Sequence, residues 1–69
     1  MKIIILISAN NDAFQEDASG ETARILRELA SRIERHPHFS EGHDQALYDD
    51  NGNEVGFCTV AADSQKWEL

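Results

Sequence analysis

Four stretches of the chain carry a regular pattern of apolar and polar residues, and each stretch predicts one element. Residues 2–9 hold five consecutive aliphatic residues, mostly β-branched, and predict a strand. Residues 18–35 repeat apolar side chains at helical spacing and predict an amphipathic helix. Residues 45–49 and 54–61 predict two further strands, which flank a turn. The predicted fold is therefore α+β, in the order β-α-β-β, with a three-stranded sheet and the one amphipathic helix packed on one face.

The predicted helix has signals at both of its ends. Asp17 is the predicted N-cap, and Ser19 is a second candidate. Residues 10–16 are predicted to be a polar connection in which Phe14 packs over the first helical turn. The dipeptide His36-Pro37 ends the helix, because the residue before a proline avoids the α region. The predicted apolar stripe consists of Ala18, Thr22, Ile25, Leu26, Leu29 and Ile33, and the predicted exposed face of Glu21, Arg24, Arg27, Glu28, Ser31, Arg32 and Arg35.

The turn between the last two strands contains Asn51-Gly52, a strong short-range signal for a β-hairpin. Two registers are compatible with it. A two-residue turn pairs Tyr48 with Val55, whereas a three-residue loop with Gly52 in a bulge pairs Leu47 with Val55. The register decides which face of the last strand is buried, and the sequence leaves both open.

The first predicted strand is apolar on both faces, so both faces of the sheet need to be shielded from water. The chain has 69 residues, which suits a single domain over residues 1–61 with a tail over residues 62–69. Ile3, Ile5 and Ile7 lie on one face of the strand and Ile4 and Leu6 on the other, but one helix covers only one face of the sheet. The tail, docking through Trp67, could shelter the second face, as could a binding partner or a second copy of the chain in a homodimer.

The charge of the chain is negative and unevenly distributed. Thirteen acidic and six basic residues give a net charge of −7, which disfavours direct binding to nucleic acid or to an anionic membrane. The predicted helix carries a net charge of +1, and the rest of the chain −8. We therefore predict an acidic surface that imitates a phosphate backbone and binds a basic protein surface. Its predicted residues are Asp12, Glu16, Asp17, Glu21, Glu41, Asp44, Asp49, Asp50 and Glu54.

Candidate catalytic, metal and cofactor sites fail on spacing, so none is predicted. His36, His38 and His43 lack the ligand spacing of a metal site and are interpreted as solvated loop residues. Residues 49–54 resemble a calcium loop only in composition, because the glycine comes too early. Cys58, the one cysteine, falls within a strand and is predicted to be a core residue; its lack of a disulfide partner suits a reducing cytoplasm. We expect no enzymatic activity.

Several segments of the chain resemble a group of very short phage and prophage proteins, most of them of unassigned function. The matching segments are residues 11–14, 20–21, 23–30 and 50–56. Two departures from the group are Ala18, where a proline is usual, and the histidine-containing loop over residues 36–43. Small acidic phage proteins of this size include anti-CRISPR inhibitors, several of which mimic DNA.

This resemblance implies a phage-encoded anti-CRISPR-type inhibitor that acts in the cytoplasm of the bacterial host. Its partner would be a basic DNA-recognition surface of a CRISPR effector, such as a subunit of a Cascade-type complex. The alternative prediction is a small homodimeric phage or prophage accessory protein that associates through its uncovered sheet face.

Overall fold

Three antiparallel strands and two helices make up the computed structural model, which describes residues 1–64. The central strand is the last of the three described strands, since the sheet order is β1-β3-β2. The three-stranded sheet with helices confirms the predicted α+β fold class. The element bounds are β1 Lys2–Ile7, α1 Asp12–Glu16, α2 Ala18–Glu34, β2 Asp44–Tyr48 and β3 Glu54–Ala61.

Helix α2 begins and ends close to the predicted positions. The Asp17 carboxylate accepts a hydrogen bond from the amide of Gly20 at 3.0 Å, which satisfies one of the free N–H groups of the first turn. Arg35 follows the last helical residue, directly before His36-Pro37. Ile25 and Leu29 lie in the core, each 2% exposed. The predicted apolar stripe is therefore buried only at its centre, since Leu26 is 41% exposed and Ala18 is exposed.

Helix α1 occupies residues that were predicted to be a connection. Its N-cap residue, Asn11, makes no side-chain capping hydrogen bond. The Asn11 amide instead donates to Asp49 on the hairpin, at 3.0 Å. Five residues are too few to show a helical period, so this helix depends on tertiary contacts. Phe14, which was predicted to pack over the first turn of the long helix, is 3% exposed and belongs to the core cluster.

The hairpin between β2 and β3 combines both predicted registers, separated by a bulge. Near the turn, the Asp49 amide donates to the Asn53 carbonyl, and Gly52 has a φ of 84°, as a three-residue loop requires. Beyond the bulge, Leu47 pairs with Gly56 and the ladder follows the other register. Val55 is the extra residue, and it is 6% exposed. The bulge turns Val55 toward the helices.

The core lies between the helices and the β2–β3 half of the sheet. Its buried members are Phe14, Ile25, Leu29, Leu47, Val55 and Cys58. Gly56 on β3 has no room for a side chain, because a Cβ there would collide with the carbonyl oxygen of Leu6 on β1. Strand β1 therefore approaches β3 closely at the end nearest the hairpin.

Residue Trp67, predicted to dock on the sheet, lies outside the described residues. Within residues 1–64, no helix combines the length and the apolar character that crossing a membrane requires.

Candidate functional site

Helix α1 and the tip of the hairpin come together at one end of the molecule. Asp12, Ala13 and Glu16 of α1 line a shallow cleft of about 290 Å³ together with Asp50 and Asn51 of the hairpin. Asp12, Glu16 and Asp50 are exposed, and we call these three carboxylates the acidic end. Residues far apart in the sequence thus form one negatively charged surface.

The buried carboxylate of Asp49 links the hairpin to α1 through hydrogen bonds. Its carboxylate, in a residue only 4% exposed, accepts hydrogen bonds from the Asn11 side chain at 3.0 Å and the Asn53 side chain at 3.2 Å. It also accepts from the backbone amides of Asn51 at 2.9 Å and Asn53 at 2.8 Å. The hydrogen bond from Asn11 is the largest of the effects that lower the pKa of Asp49 to about 2. A fixed, ionised carboxylate therefore holds the loop in place.

Glu21 fastens the hairpin to α2 in a similar way. Its carboxylate accepts two hydrogen bonds from the Arg24 guanidinium, at 2.8 and 3.0 Å, and one from the Asp50 amide at 2.7 Å. The Arg24 hydrogen bond is the first cause of a lowered pKa at Glu21, and the same contact raises the pKa of Arg24. Arg24 and Glu21 thus form a bidentate ion pair, and the Asp50 amide is a third donor to the Glu21 carboxylate.

The predicted acidic surface is therefore corrected at two positions. Glu21 and Asp49 are 8% and 4% exposed, so their oxygens are used within the chain and do not form part of an outer surface. The physical reason is the hairpin tip, whose N–H groups need acceptors that the strands do not supply. Helical spacing alone placed Glu21 on the exposed face, because that spacing does not register the hairpin that packs against it.

The remaining predicted carboxylates are distributed over other parts of the molecule. Asp17 caps α2. Glu41 and Asp44 line a separate cleft beside the end of β3, where the Thr59 hydroxyl donates to Asp44 at 2.5 Å. Asp44 on β2 pairs with Thr59 on β3. Glu54 lies at the hairpin end of β3, roughly 17 Å from Thr59 at about 3.4 Å per residue. The structure therefore brings Asp12, Glu16 and Asp50 together but leaves Glu41 and Asp44 apart from them.

The arginines of α2 form a separate positive region. Arg24, Arg27, Arg32 and Arg35 line one groove along the helix, with Glu28 and Ser31 between them. Arg24 and Arg32 also reach the backbone of β2, where they donate to the carbonyls of Tyr48 and Ala46 at 3.2 and 3.3 Å. The charge pattern of the sequence indicated a positive helix, but it did not indicate that two arginines contact a strand edge.

The candidate reactive groups are packed against the protein. Cys58 is 0% exposed, and burial raises the pKa of its thiol. His43 is half-buried, unlike the solvated residue that was predicted, and its ring packs edge-on against His36 at a centroid distance of 4.4 Å. Phe39 lies against the same ring at 5.2 Å. Across residues 1–64, no group of three or more His, Cys, Asp or Glu side chains is placed to hold a metal ion.

Comparisons with known proteins gave no match: no family model, no curated protein and no solved structure corresponds to this chain.

Proposed function

We propose that this protein is a non-enzymatic inhibitor that presents its acidic end to a Lys/Arg-lined, nucleic-acid-binding surface of another protein. The observation that carries the proposal is the convergence of Asp12, Glu16 and Asp50 on one exposed surface. Carboxylates spread over such a surface can replace phosphates in a basic site. The resemblance to short phage proteins favours a Cascade-type CRISPR complex as the target, in the cytoplasm of the bacterial host.

The hydrogen bonds that fix the acidic end in one conformation support this proposal. The hydrogen bonds from Asn11 to Asp49 and from the Asp50 amide to Glu21 join α1, the hairpin and α2. A surface that is ordered before binding loses less conformational entropy when a partner arrives. The positive groove on α2, lined by Arg27 and Arg35 among others, gives the molecule a second region of opposite sign. Such a charge distribution orients the protein during its approach to a basic partner.

The test is competition with DNA for purified Cascade-type complexes. Labelled target DNA is bound to each complex, and its displacement by the protein is followed by fluorescence anisotropy. We expect displacement that weakens strongly between about 50 and about 200 mM NaCl, because the contacts are between exposed charges. The double variant Asp12→Lys/Asp50→Lys should displace DNA at least about tenfold less well, since two attractive charges become repulsive.

The matched control is Glu34→Lys/Glu41→Lys, which changes the net charge equally but at exposed positions outside the acidic end. It should retain most of the displacement. Equal losses in the two double variants would show that net charge alone matters and would overturn the role of the acidic end. Absence of displacement from every complex would overturn the CRISPR target.

The alternative prediction, a homodimeric accessory protein, has one observation in its favour. The sheet face opposite the helices carries Leu6 and Tyr48, which are 38% and 43% exposed, and no described element covers it. Sedimentation of the Tyr48→Lys variant tests this second candidate, because a lysine in the middle of an apolar interface should abolish association.

A further inference from the structure

The two edges of the sheet are protected very differently. At the β2 edge, Arg32 and Arg24 of α2 donate hydrogen bonds to the outward carbonyls of Ala46 and Tyr48. Those arginines occupy acceptors that another strand would need, and they place positive charge beside them. The bulge on β3 at Val55 also shifts the pairing of β2 between Leu47 and Tyr48. Charged side chains and bulges are the usual means of preventing edge-to-edge pairing.

The β1 edge is less protected, since Lys2 is the only charged residue within residues 2–7. Ser8, just after β1, donates its amide to the Val55 carbonyl. The backbone N–H and C=O groups of an antiparallel strand point alternately to its two sides. Those of Ile4 and Leu6 therefore also point toward β3, whereas those of Ile3, Ile5 and Ile7 point outward. Within residues 1–64, no strand lies on that outer side. Neither a proline nor a bulge interrupts β1.

The side chains of this edge are apolar and exposed. Ile5 pairs with Cys58, so it lies on the helix side of the sheet, but it is 42% exposed whereas Cys58 is 0% exposed. Ile3 beside Val60 shows the same contrast, at 51% against 2%. Of the β1 residues on this side, Ile7 packs against the core, whereas Ile3 and Ile5 remain exposed. Leu26, on the flank of α2 opposite the arginines, is a further exposed apolar residue at 41%.

A second copy fits this edge, because its outward residues Ile3, Ile5 and Ile7 are symmetric about Ile5 and its charge does not oppose the approach. Copies that each carry a net charge of −7 repel one another over most of their surfaces. Within residues 2–7, however, the only charged residue is Lys2. In an antiparallel pair about a twofold axis, the two Lys2 residues lie at opposite ends and do not meet. The β1 edge is therefore a place where two copies can approach without like charges in contact.

We propose that β1 pairs antiparallel with β1 of a second copy and thereby forms a continuous six-stranded sheet. Twofold symmetry matches outward residues with outward residues, so Ile3, Ile5 and Ile7 form hydrogen bonds across the axis. It also places both α2 helices on the same side of the sheet. The groove between them is then filled by Ile3, Ile5 and Leu26 from each copy. The acidic ends lie at opposite ends of this dimer, because each follows the carboxyl end of its own β1.

This inference is independent of the proposed inhibitor function, and the two are distinguished by their opposite dependence on salt concentration. Added salt screens the repulsion between acidic copies and should strengthen the dimer, whereas it should weaken binding to a basic partner. The sheet-face association of the alternative prediction is a different interface. The edge pairing uses backbone groups of β1, whereas the face uses Tyr48 and its neighbours.

The experiment is sedimentation of the full chain over a wide range of concentration, at low and high salt. We expect a concentration-dependent dimer that tightens with salt. The decisive variant is a synthetic full-length chain with an N-methyl group on the Ile5 amide, which blocks an outward hydrogen bond and leaves the pairing with β3 intact. It should raise the dimer dissociation constant about tenfold or more, since the symmetric dimer loses two hydrogen bonds.

Ile5→Lys provides a second route to the same result if the N-methyl chain does not fold, as judged by circular dichroism. Tyr48→Lys is the matched control, since it places the same charge at a similarly exposed position away from β1, and it should leave the dimer unchanged. A chain that stays monomeric at every concentration overturns the proposal. A dimer that is lost in Tyr48→Lys but kept in the Ile5 variants also overturns it, in favour of the sheet face. Dimerisation that appears only in Trp67→Ala would show that the end of the chain itself covers β1, and would overturn the proposal as well.

Discussion

At the scale of single residues, Asp49 combines burial with a full set of hydrogen-bond donors. Four N–H groups from three asparagines surround its two oxygens, two donors to each oxygen. The carboxylate charge is matched by this arrangement, and the folded state therefore resists its protonation. The same residue explains why the hairpin and α1 keep a fixed relative position.

We predict that Asp49→Asn lowers the melting temperature by several degrees at neutral pH, because the new NH₂ group faces donors where an acceptor is needed. The pKa of Asp49 lies at about 2 in the folded protein, below the ordinary 3.8. Its stabilising effect is therefore complete above about pH 4 and is lost as the pH falls toward 2. The variant should have a flatter dependence of melting temperature on pH in that interval, as measured by calorimetry.

Asp50→Asn is the control for this prediction, since it removes the same charge from an exposed neighbour. Its melting temperature should change little. If both variants lose the same stability and show the same pH dependence, the hydrogen bonds to Asp49 do not stabilise the hairpin.

At the scale of elements, Arg24 connects α2 to the edge of β2. Its guanidinium contacts Glu21, Glu28 at 2.9 Å and the Tyr48 carbonyl at 3.2 Å. One side chain thus supports the helix surface, orients the carboxylate that holds the hairpin, and closes the strand edge. Arg27 carries the same charge one turn along, is exposed, and is not among the arginines that contact β2.

We predict that Arg24→Gln costs about 1–2 kcal/mol of unfolding free energy, because it leaves Glu21 without its cationic partner. Arg27→Gln, with the same change in net charge, should stay within about 0.5 kcal/mol of the parent protein. Urea unfolding of the three proteins provides the measurement. A cost for Arg27→Gln that equals the cost for Arg24→Gln would contradict this assignment of the contacts.

The elements also show what the sequence could predict and what it could not. Helix α2 and the three strands follow from local period and turn chemistry, which act over a few residues. Helix α1 does not, because Asn11 gives its side chain to Asp49 on the hairpin instead of capping the helix. The bulge at Val55 arises from burial against the helices, which local spacing does not encode. For the same reason the sequence located the negative charge but did not distinguish the buried Glu21 from the exposed Asp12.

At the scale of the whole molecule, β3 holds the fold together. It pairs with β1 on one side and with β2 on the other, and the outer strands do not pair with each other. It also supplies Val55 and Cys58 to the core. The helices pack on a sheet that exists only when this strand is in place.

We predict that a chain ending at Asn53 is largely unfolded. Strands β1 and β2 would have no partner, and a helix the length of α2 is marginal without an apolar surface to pack on. Circular dichroism should show the loss of both sheet and helix signals and no cooperative melting, with the full chain as the control. A cooperative transition in the shortened chain would show that the helices and outer strands fold without β3.

The central position of the last strand has a consequence for the synthesis of the protein. Lys2 pairs with Ala61, so the first strand cannot find its partner until nearly the whole described chain has been made. At about 5–20 residues per second, β1 waits roughly 3–10 seconds for β3 to be translated. During that interval five consecutive aliphatic residues have no partner strand. The fold can therefore form only after the residues through Ala61 have been made.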